Sequence, residues 1–152
     1  MIRFFIFLIL LWIPSTLLGD ITVKFSPSKE IPTEVIKAID SAVWTLDIAI
    51  YNLDHNGILE SIEQASKDGV RVRVILNRPE KELKVAERLE ESGVDVRHVN
   101  MTMHHKFLIA DSSLLVTGSG NWTNNAFLRY DEDLLTIRNE TAYTTACLHW
   151  RI

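Results

Sequence analysis

The sequence has little cysteine and no excess of basic charge. Cys147 is the only thiol among 152 residues, so an internal disulfide and a metal site built from several cysteines are both excluded. The formal net charge of −4 argues against a generic basic surface for nucleic acid, although it leaves a local positive cleft open. Internal repeats, low-complexity tracts and interdomain linkers are also absent. With the chain length, these absences indicate one domain with its own core.

The first nineteen residues differ in kind from the rest. Arg3 provides a short positive region, and residues 4–13 form an unbroken apolar run. This pattern is typical of a secretory signal peptide cleaved after Gly19, and it predicts a periplasmic or secreted protein. The alternative is an uncleaved membrane anchor over residues 4–18, because this stretch approaches the length that spans a bilayer. The predicted organisation is a signal peptide or anchor, 1–19, and a folded domain, 20–152.

From residue 20 onward the hydrophobic pattern alternates between two periods. Alternating β-formers predict strands, and apolar residues at helical spacing predict helices. The predicted strands are 21–25, 44–51, 70–76, 94–99, 104–110, 114–117 and 134–138, and the predicted helices are 31–43, 58–66, 80–91 and 141–150. Strands that alternate with helices of about a dozen residues are typical of α/β proteins. We therefore expect a single α/β domain with a mixed, largely parallel β-sheet flanked by helices.

The polar residues at the head of the strand 104–110 stand out against its apolar body. Side chains two positions apart share a face of a strand, so His104 and Lys106 point the same way. His105 points the opposite way. Asp111 lies an odd number of positions from Lys106, so a regular strand does not project it beside that lysine.

The strand that follows supplies more polar side chains. Ser119 and Asn121 share parity, and the glycines on either side of Ser119 allow a tight turn or a close backbone approach to a ligand. A hairpin of the two strands would bring His104, Lys106, Ser119 and Asn121 together. This set offers a nucleophile or base, a cation and neutral donors, which suits a phosphodiester. From the residues alone, phosphoryl chemistry and a purely structural polar cluster stay equally open.

The spacing of these residues resembles a family signature. His104-x-Lys106, Asp111 and Gly118-Ser119-x-Asn121 meet every defined position of HxK(x)4D(x)6GSxN, the signature of the phospholipase D superfamily. Residues 130–135 also resemble the acidic segment that follows the motif in that family. A single motif copy is similar to the bacterial endonuclease branch, because longer members carry two copies in one chain. The resemblance implies a phospholipase D-like α/β sandwich over nearly all of residues 21–150.

The resemblance also implies a mechanism. A phosphodiester would be hydrolysed through a phosphohistidine intermediate, with His104 of one chain as the nucleophile. A second histidine must protonate the leaving group, and a twofold homodimer can supply it as His104 of the other chain at a shared site. No cofactor is implied. No metal is implied either, because the adjacent histidines face opposite ways and further ligands are lacking.

Roles for the other signature residues follow from the same resemblance. Lys106, Ser119 and Asn121 would bind the phosphate. Glu132 would accept a hydrogen bond from the His104 ring and orient it. Asp111 belongs to the signature, but its strand position favours a structural hydrogen-bonding partner over a reacting group.

The leading hypothesis is an exported, metal-independent endonuclease acting on DNA or RNA. Candidate contacts to the phosphate backbone are Arg71, Arg73, Arg78, Arg97 and His105. The alternative is a phospholipid phosphodiesterase such as a cardiolipin hydrolase, which an uncleaved anchor would favour by holding the cleft near a bilayer. A third possibility is a catalytically inactive nucleic-acid-binding module on the same fold. A serine hydrolase is disfavoured, because the G-x-S-x-G turn is not met.

Overall fold

The computed structural model describes residues 20–77, 79–99 and 102–138. The strands are β1 (Asp20–Phe25), β2 (Thr45–Ile50), β3 (Arg71–Leu76), β4 (Asp95–His98), β5 (Lys106–Ala110), β6 (Leu114–Gly118) and β7 (Asp133–Arg138). The helices are α1 (Glu30–Asp40), α2 (Asn56–Lys67), α3 (Pro79–Glu91) and α4 (Asn124–Arg129). Within these ranges, no helix is long and apolar enough to cross a membrane.

The predicted elements agree with the described ones to within a few residues, with two differences. The strand predicted from residue 104 begins at Lys106, so His104 lies in the loop that precedes it. The short helix α4 is not predicted by the hydrophobic pattern. It begins where the Thr123 hydroxyl accepts a hydrogen bond from the Ala126 N–H at 3.2 Å, which caps its first turn. The predicted segment 1–19 and the predicted helix 141–150 lie outside the described residues.

The seven strands form one mixed sheet in the order β1-β7-β6-β5-β2-β3-β4. The expectation that it is largely parallel is wrong: β2 pairs in parallel with β3, and β3 with β4, while the other four pairings are antiparallel. The reason lies in the connections. Parallel neighbours need a crossover such as α2 or α3, whereas β5 and β6 are joined by a tight turn that permits only antiparallel pairing.

Helices α1, α2 and α3 cover one face of the sheet. Their apolar sides and that face form the main core, whose fully buried members include Val35, Ile39, Ile48, Ile62, Val74, Leu89 and Leu108. A smaller cluster lies on the opposite face and consists of Ala49, Ile75, Met103, Phe107 and Ile109. The strands at the centre of the sheet are buried on both faces, and apart from the ion pair of Asp47 in β2 with Arg73 in β3, most of their polar residues lie at the strand ends and in the adjoining loops.

The strand directions give the sheet two distinct ends. Ile50 pairs with Lys106 at one end, which we call the His104 end because His104 precedes β5 there. Asp20 pairs with Arg138 at the other end, which we call the Asp20 end. β2 and β6 run toward the His104 end, while β5 and β7 run away from it. Side chains that follow β6 or precede β5 and β7 therefore meet at the His104 end.

Candidate active site

His104 and Lys106 lie side by side at the His104 end. The Lys106 Nζ lies 3.1 Å from Nδ1 and 3.2 Å from Nε2 of His104, and it donates to the His104 carbonyl oxygen at 3.0 Å. Their exposure differs: Lys106 is 6% exposed, whereas His104 is open to solvent. The arrangement presents an accessible imidazole on a buried cation.

The electrostatics of Lys106 favour an anion at this position. Burial lowers the pKa of Lys106 below its ordinary value, and the nearby Glu132 carboxylate raises it by less. A cation whose loss of hydration is not fully compensated by the protein gains from an anionic ligand. A phosphate group placed against His104 would supply that negative charge.

Tyr51, which sequence reasoning missed, is a third member of this group. Its ring meets the His104 ring edge to face, with centroids 4.7 Å apart and planes at 61°. The Lys106 Nζ lies 5.4 Å from the Tyr51 ring centroid, within the range of a cation–π contact. Tyr51 directly follows β2, and only the pairing of β2 with β5 brings it here. The sequence signal available was its position at the end of a buried strand.

Ser119 and Glu132 form a pair beside this group. The Ser119 hydroxyl donates to the Glu132 carboxylate and accepts from the Asp133 N–H at 3.1 Å. Within the described residues the Glu132 side chain thus hydrogen-bonds to Ser119, and its hydrogen bond to the His104 ring stays a prediction. The pairing of β6 with β7 sets Glu132 against the loop after β6, where a Cβ added at Gly120 would lie 3.2 Å from the Glu132 Cβ.

Gly118 is required for this approach of the two strands. A Cβ on Gly118 would lie 2.1 Å from the Asp133 carbonyl oxygen, closer than any non-bonded contact. A glycine before Ser119 thus lets β7 pass close enough for the Ser119–Glu132 hydrogen bond to form.

Asn121 is held at the same end by its neighbour. Trp122 is 1% exposed, and its backbone N–H donates to the Asn52 carbonyl oxygen at 3.1 Å. The Asn121 Oδ1 is buried and finds no hydrogen-bond partner among the described residues. A buried polar atom without a partner carries a free-energy cost, and functional sites are a common reason for keeping one. The unpaired Asn121 Oδ1 is an acceptor, so as placed it is available to a hydrogen-bond donor of a ligand.

Asp111 is the one signature residue that the structure does not bring to this site. It lies at the Asp20 end, where its carboxylate accepts hydrogen bonds from the N–H groups of Val43 at 2.7 Å, Trp44 at 2.7 Å and Thr45 at 2.9 Å. The length of β5, about 17 Å, separates it from His104. Partial burial alone would raise the pKa of Asp111, but these three hydrogen bonds outweigh it and lower that pKa.

Two of the basic residues proposed for the phosphate backbone, Arg73 and Arg97, are held in ion pairs. Arg73 makes a two-pronged ion pair with the buried Asp47 at 2.7 and 2.6 Å, and Arg97 pairs with Asp95 at 3.0 Å. Arg71 begins β3 at the Asp20 end, and Arg78 lies outside the described residues. Over the described ranges, no cluster of histidine, cysteine and acidic side chains has the arrangement of a metal site.

Comparison with known proteins identifies relatives of two kinds. The virion nicking-joining enzyme of Monkeypox virus is 38% identical over 105 residues, which cover 64% of this chain and 25% of the enzyme. The mitochondrial cardiolipin hydrolase of Chlamydomonas reinhardtii is 31% identical over 113 residues, which cover 70% of this chain and 51% of the hydrolase. The chain thus spans about a quarter of the first relative and about half of the second.

A solved structure and a family model define the relationship. The phospholipase D family member Nuc from Salmonella typhimurium matches with a TM-score of 0.81 at 25% identity, covering 88% of this chain and 92% of Nuc. This likeness confirms the predicted single domain with a mixed sheet flanked by helices. The family model described as cardiolipin synthase, PLD-like domain, matches residues 35–147, which include the whole motif. The chain therefore belongs to the phospholipase D-like family.

Proposed function

We propose that this protein is an exported or membrane-anchored phosphodiesterase that cleaves nucleic acid through a phosphohistidine intermediate, with no metal. The observation that carries the proposal is the exposed His104 imidazole resting against the buried ammonium of Lys106. A nucleophile that must approach a doubly esterified phosphate gains from a fixed cation that binds the phosphate oxygens.

The chemistry has two displacements at phosphorus. In the first, a ring nitrogen of His104 forms a P–N bond while the P–O bond to the leaving group breaks, and a second imidazolium gives that oxygen its proton. In the second displacement, the second imidazole, which has just given up its proton, takes a proton from water. The water oxygen attacks phosphorus, and the P–N bond to His104 breaks. Lys106 and the side-chain N–H of Asn121 bind the non-bridging oxygens throughout, and Ser119 joins them when its hydroxyl proton turns from Glu132 to the phosphate. The histidine is restored, so the net reaction is hydrolysis.

The second imidazole comes from another copy of the chain. The described part of one chain holds a single His104–Lys106 pair, and neither His98 nor His55 has a neighbouring lysine in the same arrangement. Because His104 is open to solvent, a second His104 can approach it across a twofold axis. We therefore take the active form to be a homodimer with one shared cleft.

Nucleic acid is the preferred substrate, and phospholipid is the second candidate. The single motif and the match to nearly all of Nuc favour the first. The cardiolipin hydrolase relatives favour the second. Plasmid DNA and cardiolipin vesicles, offered side by side to the purified protein, separate the two: we expect DNA cleavage that persists with EDTA. Hydrolysis of cardiolipin alone would contradict the nucleic-acid proposal.

His104→Asn is the decisive variant in this assay. It should lower hydrolysis of bis-(p-nitrophenyl) phosphate by about a thousandfold or more, because it removes the nucleophile. His55→Asn is the matched control, since His55 caps α2 by accepting from the Ile58 N–H, and asparagine caps helices well. The control should keep its activity. Substantial activity in His104→Asn would reject His104 as the nucleophile.

A further inference from the structure

The Asp20 end carries an apolar projection that the proposed chemistry does not use. Val43 and Trp44 follow α1 and are 62% and 76% exposed, and Trp44 is the most exposed of the large apolar side chains in the described ranges. We call these two residues the Val43–Trp44 tip. Other large apolar side chains are exposed as well, including Phe25 (70%) at the His104 end, but Val43 and Trp44 are adjacent in one turn and together form an apolar surface that can meet another apolar phase.

The tip is held in a fixed conformation. The Asp111 carboxylate accepts from the N–H groups of both tip residues and of Thr45. From the neighbouring strand, the Arg71 N–H donates to the Trp44 carbonyl oxygen at 3.0 Å. The motif aspartate thus fixes an apolar surface at one end of the sheet while the rest of the motif lies at the other.

The chain itself indicates what the tip meets. The apolar stretch at residues 4–18 leads directly into β1, which begins at Asp20 on this same end of the sheet. Three strands separate β1 from β2, so the entry point lies about 20 Å from the tip, within one face of a small domain. Arg71 and Arg138 are exposed at this end too. Tryptophan and arginine together are typical of the lipid headgroup region.

We propose that the Asp20 end is a membrane-docking surface, with the Val43–Trp44 tip inserted among the headgroups of a phospholipid bilayer. In this proposal residues 4–18 are the uncleaved anchor rather than a cleaved signal peptide, and they deliver this end of the domain to the bilayer. The tip then adds apolar contact, and the two arginines can meet lipid phosphates. Asp20 lies opposite Arg138 across β1 and β7, so apolar insertion rather than net charge is the main attraction.

This orientation restricts which phosphodiesters can reach the cleft, an inference that rests on the proposed function. The His104 end faces away from the bilayer, at a distance of about 20 Å set by the length of β2. Phosphodiesters of the supporting membrane are then out of reach, whereas a soluble polymer can enter the cleft. An anchor at residues 4–18, which the sequence suggested would favour a lipid substrate, instead favours nucleic acid.

The test compares one label at each end of the sheet. In the full chain with Cys147→Ser, an environment-sensitive dye is attached through Val43→Cys or, at the opposite end, through Tyr130→Cys, which replaces a side chain that is 55% exposed. Each protein is reconstituted in phosphatidylcholine–phosphatidylglycerol vesicles with and without brominated lipid. We expect a blue shift and bromine quenching for the Val43→Cys label, and no quenching for the Tyr130→Cys label.

Several outcomes would overturn the proposal. Quenching at Tyr130→Cys, at both positions or at neither position would each show that the Asp20 end is not the one that meets lipid. Adding Trp44→Ser to the Val43→Cys chain should reduce the blue shift of the dye. An unchanged spectrum would show that Trp44 does not contribute to the contact with lipid. Hydrolysis of bis-(p-nitrophenyl) phosphate is measured on every chain, so that a failure of the proposed chemistry is seen separately from a failure of the orientation.

Discussion

Lys106 keeps its ammonium 3.1 Å from Nδ1 and 3.2 Å from Nε2 of His104, although the fold buries it. Burial opposes its charge more than Glu132 supports it. The same residue is therefore a cost to the folded protein and a source of affinity for an anion. At the scale of single residues, this conflict is the clearest physical indication of a binding site.

The pH dependence of activity tests this property of Lys106. Because the pKa of Lys106 is lowered from its ordinary value of 10.5, the ammonium is lost at a lower pH than in a free lysine. We expect kcat/KM for bis-(p-nitrophenyl) phosphate to fall on the alkaline side before pH 10.5. Lys106→Arg should move that fall to higher pH, since arginine stays charged. An alkaline limb that is unchanged by Lys106→Arg would assign it to another group.

The lowered pKa of Lys106 affects the stability of the folded protein in the opposite direction: activity should fall as pH rises, whereas stability should increase. The folded state releases the Lys106 proton before the unfolded state does, so the destabilising contribution of Lys106 is present at neutral pH. It is relieved as pH rises through the lowered pKa toward the unfolded value. At neutral pH the buried cation therefore favours an anion at this site.

At the scale of elements, the β5–β6 hairpin divides the motif between two ends. Its turn contains Asp111 and Ser112 with φ of 48° and 58°, a left-handed conformation that tight hairpin turns require. One end of the hairpin carries His104 and Ser119, and the other fixes residues 43–45. A single sequence motif thus carries the proposed nucleophile and a distant structural support.

Asp111→Asn tests the structural role. The variant should lower the free energy of unfolding at neutral pH by about 1–3 kcal/mol, because charge-assisted hydrogen bonds to three N–H groups are weakened. The pKa of Asp111 is lowered, so its contribution is present above the ordinary value of 3.8 and is lost as pH falls through the folded value. Urea unfolding at neutral and acid pH measures this. An equal loss at both would contradict a role for the carboxylate charge.

The close approach of β6 and β7 gives a second prediction at this scale. Gly118→Ala should destabilise the fold by roughly 3 kcal/mol or more, because its Cβ would meet the Asp133 carbonyl oxygen and separate the strands. Gly69→Ala is the matched control. Its φ of +91° disfavours alanine, but nothing lies within 4 Å of the new Cβ, so it should cost about 1 kcal/mol. Thermal melts compare the two, and equal losses would show that backbone strain dominates over the clash.

At the scale of the whole molecule, one chain holds half of the proposed chemistry. Mixing wild-type and His104→Asn chains before dimer formation tests the shared cleft. If each cleft needs two His104 side chains, only wild-type homodimers are active, and an equal mixture should retain about a quarter of the activity. Independent sites would retain about half. Size-exclusion chromatography of each variant alone checks that both form dimers.

The local pattern of the sequence determined a large part of this protein. Alternation and helical spacing predicted the seven described strands and three of the four helices, because hydrophobic periodicity is a short-range property. Parity predicted His104 on the face of Lys106 and Asp111 off that face; in the structure His104 meets Lys106 from the loop before β5, and the length of β5 separates Asp111 from both. The motif spacing identified the phospholipase D resemblance, which the family match confirmed. None of these inferences needs to know which strands are neighbours.

The tertiary structure decided what depends on strand pairing. Four of the six strand pairings are antiparallel. The Ser119 hydroxyl donates a hydrogen bond to Glu132, and the Tyr51 ring contacts the His104 ring. The tertiary structure also set the Val43–Trp44 tip and the entry of the chain at one end, and His104 at the other. These relations join residues far apart in the chain. Their energies come from long-range packing and hydrogen bonding, which leave no periodic trace in the sequence.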